Sequence, residues 1–234
     1  MNILAFDTCF SACSVAVGRD IGSHRERLEQ YFEPRETGHA EAIMPMIDRA
    51  MSDAGLAFTD LDRIAVTSGP GTFTGMRIGI AAARALKLAT GVPIVTASSL
   101  AVMAEDAADE IRAEELAQSA LAVAVDARRG QVYVQLFGRG GLDRSTGPML
   151  ATCADAASLG DGPLIVAGSG AELVVKAAIE AGRKAVAMLP RLQPDAGALV
   201  YMAPVLPLAT EPPAPLYLRP ADAKPQLGAG VPRR

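Results

Sequence analysis

The spacing of apolar and polar positions predicts a chain of short strands and amphipathic helices. Residues 2–7, NILAFD, are an apolar run that predicts a buried strand ending at Asp7. Thr8–Ala12 are small or polar and predict a turn, and residues 13–18, CSVAVG, alternate as a returning strand, giving a β-hairpin with a carboxylate at its mouth. Residues 19–36 are polar with mixed charges (Arg19, Asp20, Arg25, Glu26, Arg27, Glu29). Part of them predicts a third strand, with His24 on the surface. In residues 37–54, Ile43, Ile47, Ala50, Met51 and Ala54 recur at helical spacing and predict a helix with one apolar face, closed by Gly55. Pro45 predicts a kink or a late start, because its ring clashes with the carbonyl four residues back. Met44 and Met46 lie off that stripe. They fit either an adaptable partner surface or a wider core face.

Residues 63–91, RIAVTSGPGTFTGMRIGIAAARALKLATG, predict a buried strand at Ile64–Val66, a break at Gly69, Pro70 and Gly71, and a helix. The helix is expected to begin near Thr74 or Gly75 and to stop before Gly91, with Pro93 beyond it. Its small residues, Gly75, Gly79, Ala82, Ala83 and Ala85, let another helix or backbone approach closely. The stretch is not a P-loop: Thr74 lies five residues after Gly69, Met76 five after Gly71, and the first lysine is Lys87. It is a poor dinucleotide fingerprint, since Thr74 stands at the third glycine and the strand at residues 93–97 is followed by Ser98 and Ser99 rather than a carboxylate.

The pattern then repeats. After a strand ending at Ala97, Ser98 is placed to cap a helix that turns acidic and solvated by residue 119. Residues 121–137, LAVAVDARRGQVYVQLF, form a second strand ending in aspartate, Asp126, with a turn at Ala127–Gly130 and a returning strand. Residues 138–162 predict loop and short strand. Residues 163–179 predict a strand, a Gly168-Ser169-Gly170 turn and a helix, followed by a short strand and a helix from about Asp195. These elements place an α/β chain in two lobes, 1–97 and 98–210. A Pro-rich segment, 211–234, is expected to return in part to the first lobe, with its last ten residues disordered. Asp7 admits two readings: a magnesium held through water with Thr8 and turn N–H groups facing a phosphate, or a cap on its own turn.

Composition narrows the chemistry. Of 234 residues, half are hydrophobic, yet no apolar run has membrane-spanning length. MNILAFDT lacks the features of a signal peptide, so a cytoplasmic protein without membrane contact is expected. A net charge of −4 argues against a general phosphate-backbone binder, and the lack of Trp leaves no evident base-stacking platform. Cys9, Cys13 and Cys153 form no disulfide framework. Nor is a metal centre expected: His39 is followed four residues later by Ile43, and His24 lies in another segment. His39 stands as a lone acid–base group or as a helix-start or interface histidine. Gly168–Gly170 is not a GxSxG elbow, and no nucleophile with its base is evident.

SGPGTFTGMRIG resembles the signature of the TsaB (YeaZ-like) family, relatives of the TsaD (Gcp-like) catalytic subunit. GHAEAIMPMI, TASSLAVMA, DARRGQVY (with Gln131 where the family usually has Glu) and PLYLR resemble further family segments. The two Asp-tipped hairpins also resemble the duplicated actin/Hsp70/sugar-kinase architecture, in which two lobes face each other across a nucleotide cleft. The resemblance implies a non-catalytic partner subunit in the transfer of threonylcarbamoyl to the adenosine beside the anticodon of tRNAs that decode ANN codons. It implies a TsaD-like catalytic subunit, a TsaE-like ATPase and contact with tRNA through the complex. It also implies self-pairing as a homodimer and ATP or ADP in the assembly. Pairing would use residues 39–54 and 75–90, with His39, Ile43, Met44, Met46, Ile47, Gly75, Met76, Gly79, Ile80 and Ala83 at the interface. Asp7, Thr8, Asp126, Gly168 and Gly170 would be what remains of a nucleotide cleft. The alternative is an independent nucleotide-dependent enzyme of the sugar-kinase class. A protease ranks behind both, because no nucleophile, metal pair or acid dyad is evident.

Overall fold

A computed structural model of the chain describes residues 1–138 and 146–219. The expected disorder of the last ten residues lies outside the described residues.

The first sheet contains β1 (Ile3–Asp7), β2 (Ala12–Arg19), β3 (Arg27–Pro34), β4 (Arg63–Gly69) and β5 (Ile94–Ser98), in the order β3-β2-β1-β4-β5. β1 runs antiparallel to β2 and parallel to β4, and β5 continues parallel to β4. The second sheet contains β6 (Ala120–Asp126), β7 (Gln131–Phe137), β8 (Met149–Thr152), β9 (Leu164–Ala167) and β10 (Ala185–Met188), in the order β10-β9-β6-β7-β8. Read from the other edge this is the first sheet again: β6 is antiparallel to β7 and parallel to β9, and β10 extends parallel from β9. One topology is therefore used twice.

The central strands β1 and β6 read as continuous apolar runs because both of their faces are covered, whereas the edge strand β3 is polar and largely exposed. Their alternation still assigns the faces. In β1, Leu4 and Phe6 enter a core shared with α1 (His39–Ala54) and α2 (Phe73–Thr90). Ile3 and Ala5 face the opposite way, into a core with α3 (Ser99–Glu110) and α7 (Ala196–Met202). In β6, Leu121, Val123 and Val125 join that second core, so α3 and α7 fill the space between the sheets. Ala120, Ala122 and Ala124 turn outward to α5 (Cys153–Ala157) and α6 (Ala171–Glu180).

Several boundaries differ from expectation for local reasons. α2 starts at Phe73 because the Thr72 hydroxyl accepts from Gly75 N–H and caps it. α1 runs through Pro45, which sits on its exposed side, without a break between His39 and Ala54. The acidic stretch after Ser98 is two helices, α3 and α4 (Ala113–Gln118), separated at Ile111 and Arg112, where the backbone is extended. α5, inside the stretch expected to be loop, is capped by the Thr152 hydroxyl accepting from Asp155 N–H. Ser98 caps α3 through Leu100 and Ala101 N–H, and Asp195 caps α7 through Gly197 N–H.

Candidate functional site

At the mouth of the first hairpin, Asp7 is fully buried and both of its carboxylate oxygens are engaged. The Thr67 hydroxyl donates to Oδ1, and Cys9 N–H donates to Oδ2 at 3.0 Å. Burial pushes the Asp7 carboxyl up to about 6, against the lowering effect of these donors. Thr8 Oγ1 donates to the Gly75 carbonyl at 2.8 Å. The glycine loop lies directly on this turn: Thr72 N–H donates to Cys9 O at 2.7 Å, and a Cβ on Gly71 would meet that same oxygen at 2.5 Å. Asp7 and Thr8 therefore bond internally beneath the start of α2. The turn-capping reading describes the bond that Asp7 accepts from Cys9 N–H.

Asp126, Gly168 and Gly170 are brought together at the second mouth. Gly168 has φ of 100°, and a Cβ there would meet Ala124 O at 2.5 Å; Gly170 N–H donates to that oxygen at 2.9 Å. Ser169 Oγ accepts from Asp126 N–H at 3.1 Å. The Asp126 carboxylate accepts from Arg128 N–H at 2.7 Å and is partly open to solvent. The two halves thus share a hairpin and a covering glycine turn, but only the first has its carboxylate sealed.

The chain offers no activated thiol at these mouths. Burial pushes Cys9 well above the usual thiol range and Cys13 up to about 11. His39 is buried, with Nε2 2.8 Å from the Phe10 carbonyl. A carbonyl only accepts, so Nε2 carries the proton and ties the start of α1 to the first hairpin. Among the described residues, no group of three or more His, Cys, Asp or Glu could hold a metal ion. None of the described helices is long and apolar enough to cross a membrane.

α1 and α2 cover the outer face of the first sheet side by side. Their predicted pairing residues fall into two sets. Ile43, Met46, Ile47, Met76, Ile80 and Ala83 are buried in the chain's own core, and so support the surface from beneath. Met46 in particular belongs to the core, because the apolar face of α1 is wide enough to include His39 and Met46 beside the Ile43–Ala54 stripe. Gly75 and Gly79 also point inward: a Cβ on Gly79 would meet Thr8 Oγ1 at 2.7 Å. A glutamate there would test folding rather than pairing. Met44, 38% exposed, is the predicted residue on the outer surface.

The exposed face of α2 is the stripe Arg77, Ala81, Arg84, Ala85 and Leu88, the last 90% exposed. α2 carries Arg77, Arg84 and Lys87 and no carboxylate, whereas α1 exposes Glu41, Asp48 and Asp53 against Arg49. The two helices therefore present a basic stripe beside an acidic one, with small side chains at the centre of the basic stripe. Phe73 and Tyr217, far apart in sequence, stack at 5.3 Å, and the Arg77 guanidinium lies 3.7 Å over the Phe73 ring.

A third cluster went unread in the sequence. Asp195 accepts from Ser14 Oγ at 3.2 Å and from Gln30 Nε2 at 2.7 Å, while its own N–H donates to Asp106 Oδ2 at 3.2 Å. Burial first, and then the Asp195 charge, push Asp106 up to about 7. The acidic run Glu105, Asp106, Asp109, Glu110 hid the contact between Asp106 and Asp195.

Two copies of one strand order, each with an aspartate at the end of its first strand and a glycine turn after its fourth, define a duplicated α/β protein of the actin/Hsp70/sugar-kinase class. The model of the family described as TsaD, tRNA N6-adenosine threonylcarbamoyltransferase, matches residues 33–190. TsaB of Escherichia coli K12, named a tRNA threonylcarbamoyladenosine biosynthesis protein, is 38% identical over 135 residues, covering 57% of this chain and 53% of that protein. An uncharacterized protein of Mycobacterium bovis is 31% identical over 228 residues, covering 96% of this chain and 94% of that protein. The solved structure of YeaZ from Pseudomonas aeruginosa superposes with a TM-score of 0.77 at 29% identity, over 93% of this chain and 99% of that one. This chain belongs to the TsaB (YeaZ-like) branch of the TsaD family. The match spans about half the length of the curated TsaB relatives.

Proposed function

We propose that this chain is a non-catalytic partner subunit of a complex that transfers threonylcarbamoyl to the adenosine beside the anticodon of tRNA. The observation that carries the reading is the outer face of α1 and α2. It is a charge-segregated surface with small residues at its centre, on a chain whose curated relatives are named for threonylcarbamoyladenosine biosynthesis. The first mouth supports it, since Asp7 is buried and bonded to Thr67 and the Cys9 N–H, and the Thr8 hydroxyl is bonded to the Gly75 carbonyl of α2. In this reading the surface pairs with a TsaD-type catalytic subunit, or with a second copy of the chain when that subunit is absent. A TsaE-type ATPase and the tRNA are engaged by the assembly, and any ATP or ADP belongs to the assembly rather than to a reaction run by this chain alone. The reading places the chain in the cytoplasm, where tRNA is modified.

The pairing surface is tested by Ala81→Glu. Ala81 is exposed at the centre of the basic stripe, so the new side chain adds bulk and a negative charge between Arg77 and Arg84 without touching the core. The thermal midpoint is expected to stay within the small range typical of surface changes. Association with a TsaD-type subunit, followed by calorimetry or light scattering, is expected to weaken by about 100-fold or more. Normal association of the folded variant would place the pairing surface elsewhere.

A further inference from the structure

The C-terminal segment touches more separate parts of the molecule than any motif reading of it required. Ala209 N–H donates to Ile94 O at 2.9 Å, at the edge of the first sheet. Pro213 O accepts from Arg84 Nε at 2.9 Å, and Leu216 N–H donates to Ser68 O at 2.7 Å. Tyr217 Oη accepts from Arg77 Nε at 2.8 Å while its ring stacks on Phe73. The segment then crosses to the other half of the molecule. Arg219 Nη1 donates to Ala127 O at 2.9 Å, and Nη2 donates to Gln131 Oε1 at 2.8 Å.

Ala127 and Gln131 are the two sides of the β6–β7 turn, joined to each other by Ala127 N–H donating to Gln131 O at 3.0 Å. One guanidinium thus grips both sides of the turn next to Asp126. Its charge is permanent and its donors are held in a rigid plane, which suits it to a fixed two-point hold. Residues 210–219 belong to no helix or strand, so their position depends on these few bonds. The same segment walls a groove of about 550 Å³ against α2, lined by Arg77, Ile80, Ala81, Arg84, Pro215 and Tyr217.

We propose that residues 209–219 are a latch between the two halves. Arg77 and Phe73 hold Tyr217 at one end, Arg219 holds the β6–β7 turn at the other, and the Leu216–Ser68 bond lies between them. The latch joins the exposed face of α2 to the second hairpin, so that release at Arg219 loosens the wall of the α2 groove. This goes beyond the partner-subunit reading, and it is tested on the free chain, with no partner present.

Residue-resolved hydrogen exchange is the measurement. Arg219→Ala is expected to speed exchange of the Leu216 amide by about tenfold, the effect of losing a hold worth one charged hydrogen bond, while amides of β1 and β4 keep their rates. An unchanged Leu216 rate overturns the latch. So does an equal acceleration throughout β1 and β4, which would make Arg219 an ordinary contributor to global stability. Gln131→Glu supplies the opposite change by converting the contact to a charge-assisted one. It is expected to slow Leu216 exchange several-fold when Arg219 is present and to have no effect in Arg219→Ala. The same effect in both backgrounds, or none in either, also overturns the proposal.

Discussion

Gly75→Ala is expected to destabilise the protein by about 3 kcal/mol or more, the range of a severe core overpacking. In an ordinary helix interior the same change stabilises, because alanine exceeds glycine in helix propensity by about 1 kcal/mol. The sign reverses because an added methyl at Gly75 would lie within 3.0 Å of the Thr8 carbonyl oxygen and of Thr72 Oγ1. The first of these is backbone, which no rotamer change can move aside. α2 must lift from the hairpin, and the Thr8 hydroxyl loses its bond to the Gly75 carbonyl. Gly147, with open space around it, is the control: Gly147→Ala is expected to change stability little. Chemical denaturation of the two variants checks the pair. A stable Gly75→Ala protein would mean that α2 does not sit on the hairpin as described.

The second large effect is on pH dependence. Asp106 has a folded value of about 7 against 3.8 for the free side chain, with burial as the chief cause and the Asp195 charge next. The carboxyls of Asp109 and Glu105 push in the same direction, and the Asp195 N–H opposes them. The folded state therefore holds a proton that the unfolded state releases, so stability falls as pH rises from about 4 to about 7 and then levels off. Asp7, raised to about 6 by burial, adds to the same slope over a lower range. The Asp106 contribution is on the order of 2–4 kcal/mol. Asp106→Asn keeps a carbonyl oxygen to accept from Asp195 N–H and removes the charge. The variant is expected to be more stable than the parent at pH 8 and to lose most of the slope, leaving that of Asp7. Thermal melts at several pH values check this. A variant that is less stable at pH 8, or that keeps the full slope, would show that Asp106 is ionised without cost in the fold.

Strand positions were legible because NILAFD and LAVAVD are short apolar runs that each end in an aspartate, whereas the face each residue takes was not, because a strand buried on both faces carries no polar–apolar alternation. The repeated strand–turn–strand unit made the duplication readable before any pairing was known. The identity of what approaches Gly75 and Gly79 was not legible. Small residues at helical spacing announce a close neighbour but do not say which one, and the neighbour is the chain's own Thr8, far away in sequence. For Met46 the sequence allows either a partner surface or a wider core face, and the fold puts it in the core, since the width of an apolar helix face depends on how much sheet lies beneath it. Asp106 was hidden inside an acidic run that also includes the exposed Asp109 and Glu110. The pairing of Arg77 with Tyr217, and of Arg219 with the β6–β7 turn, joins residues with no shared local pattern. PLYLR marked the segment, but only the fold shows what it holds.

The central claim is that this chain is required by a transferase yet is not itself the transferase. The direct measurement is threonylcarbamoyl transfer to unmodified tRNA by the reconstituted system, with this chain present, omitted or alone, and the modified nucleoside read by mass spectrometry. Modification is expected with the complete system and is expected to vanish both when this chain is omitted and when it acts alone. Full modification without this chain, or modification by this chain alone, would contradict the account.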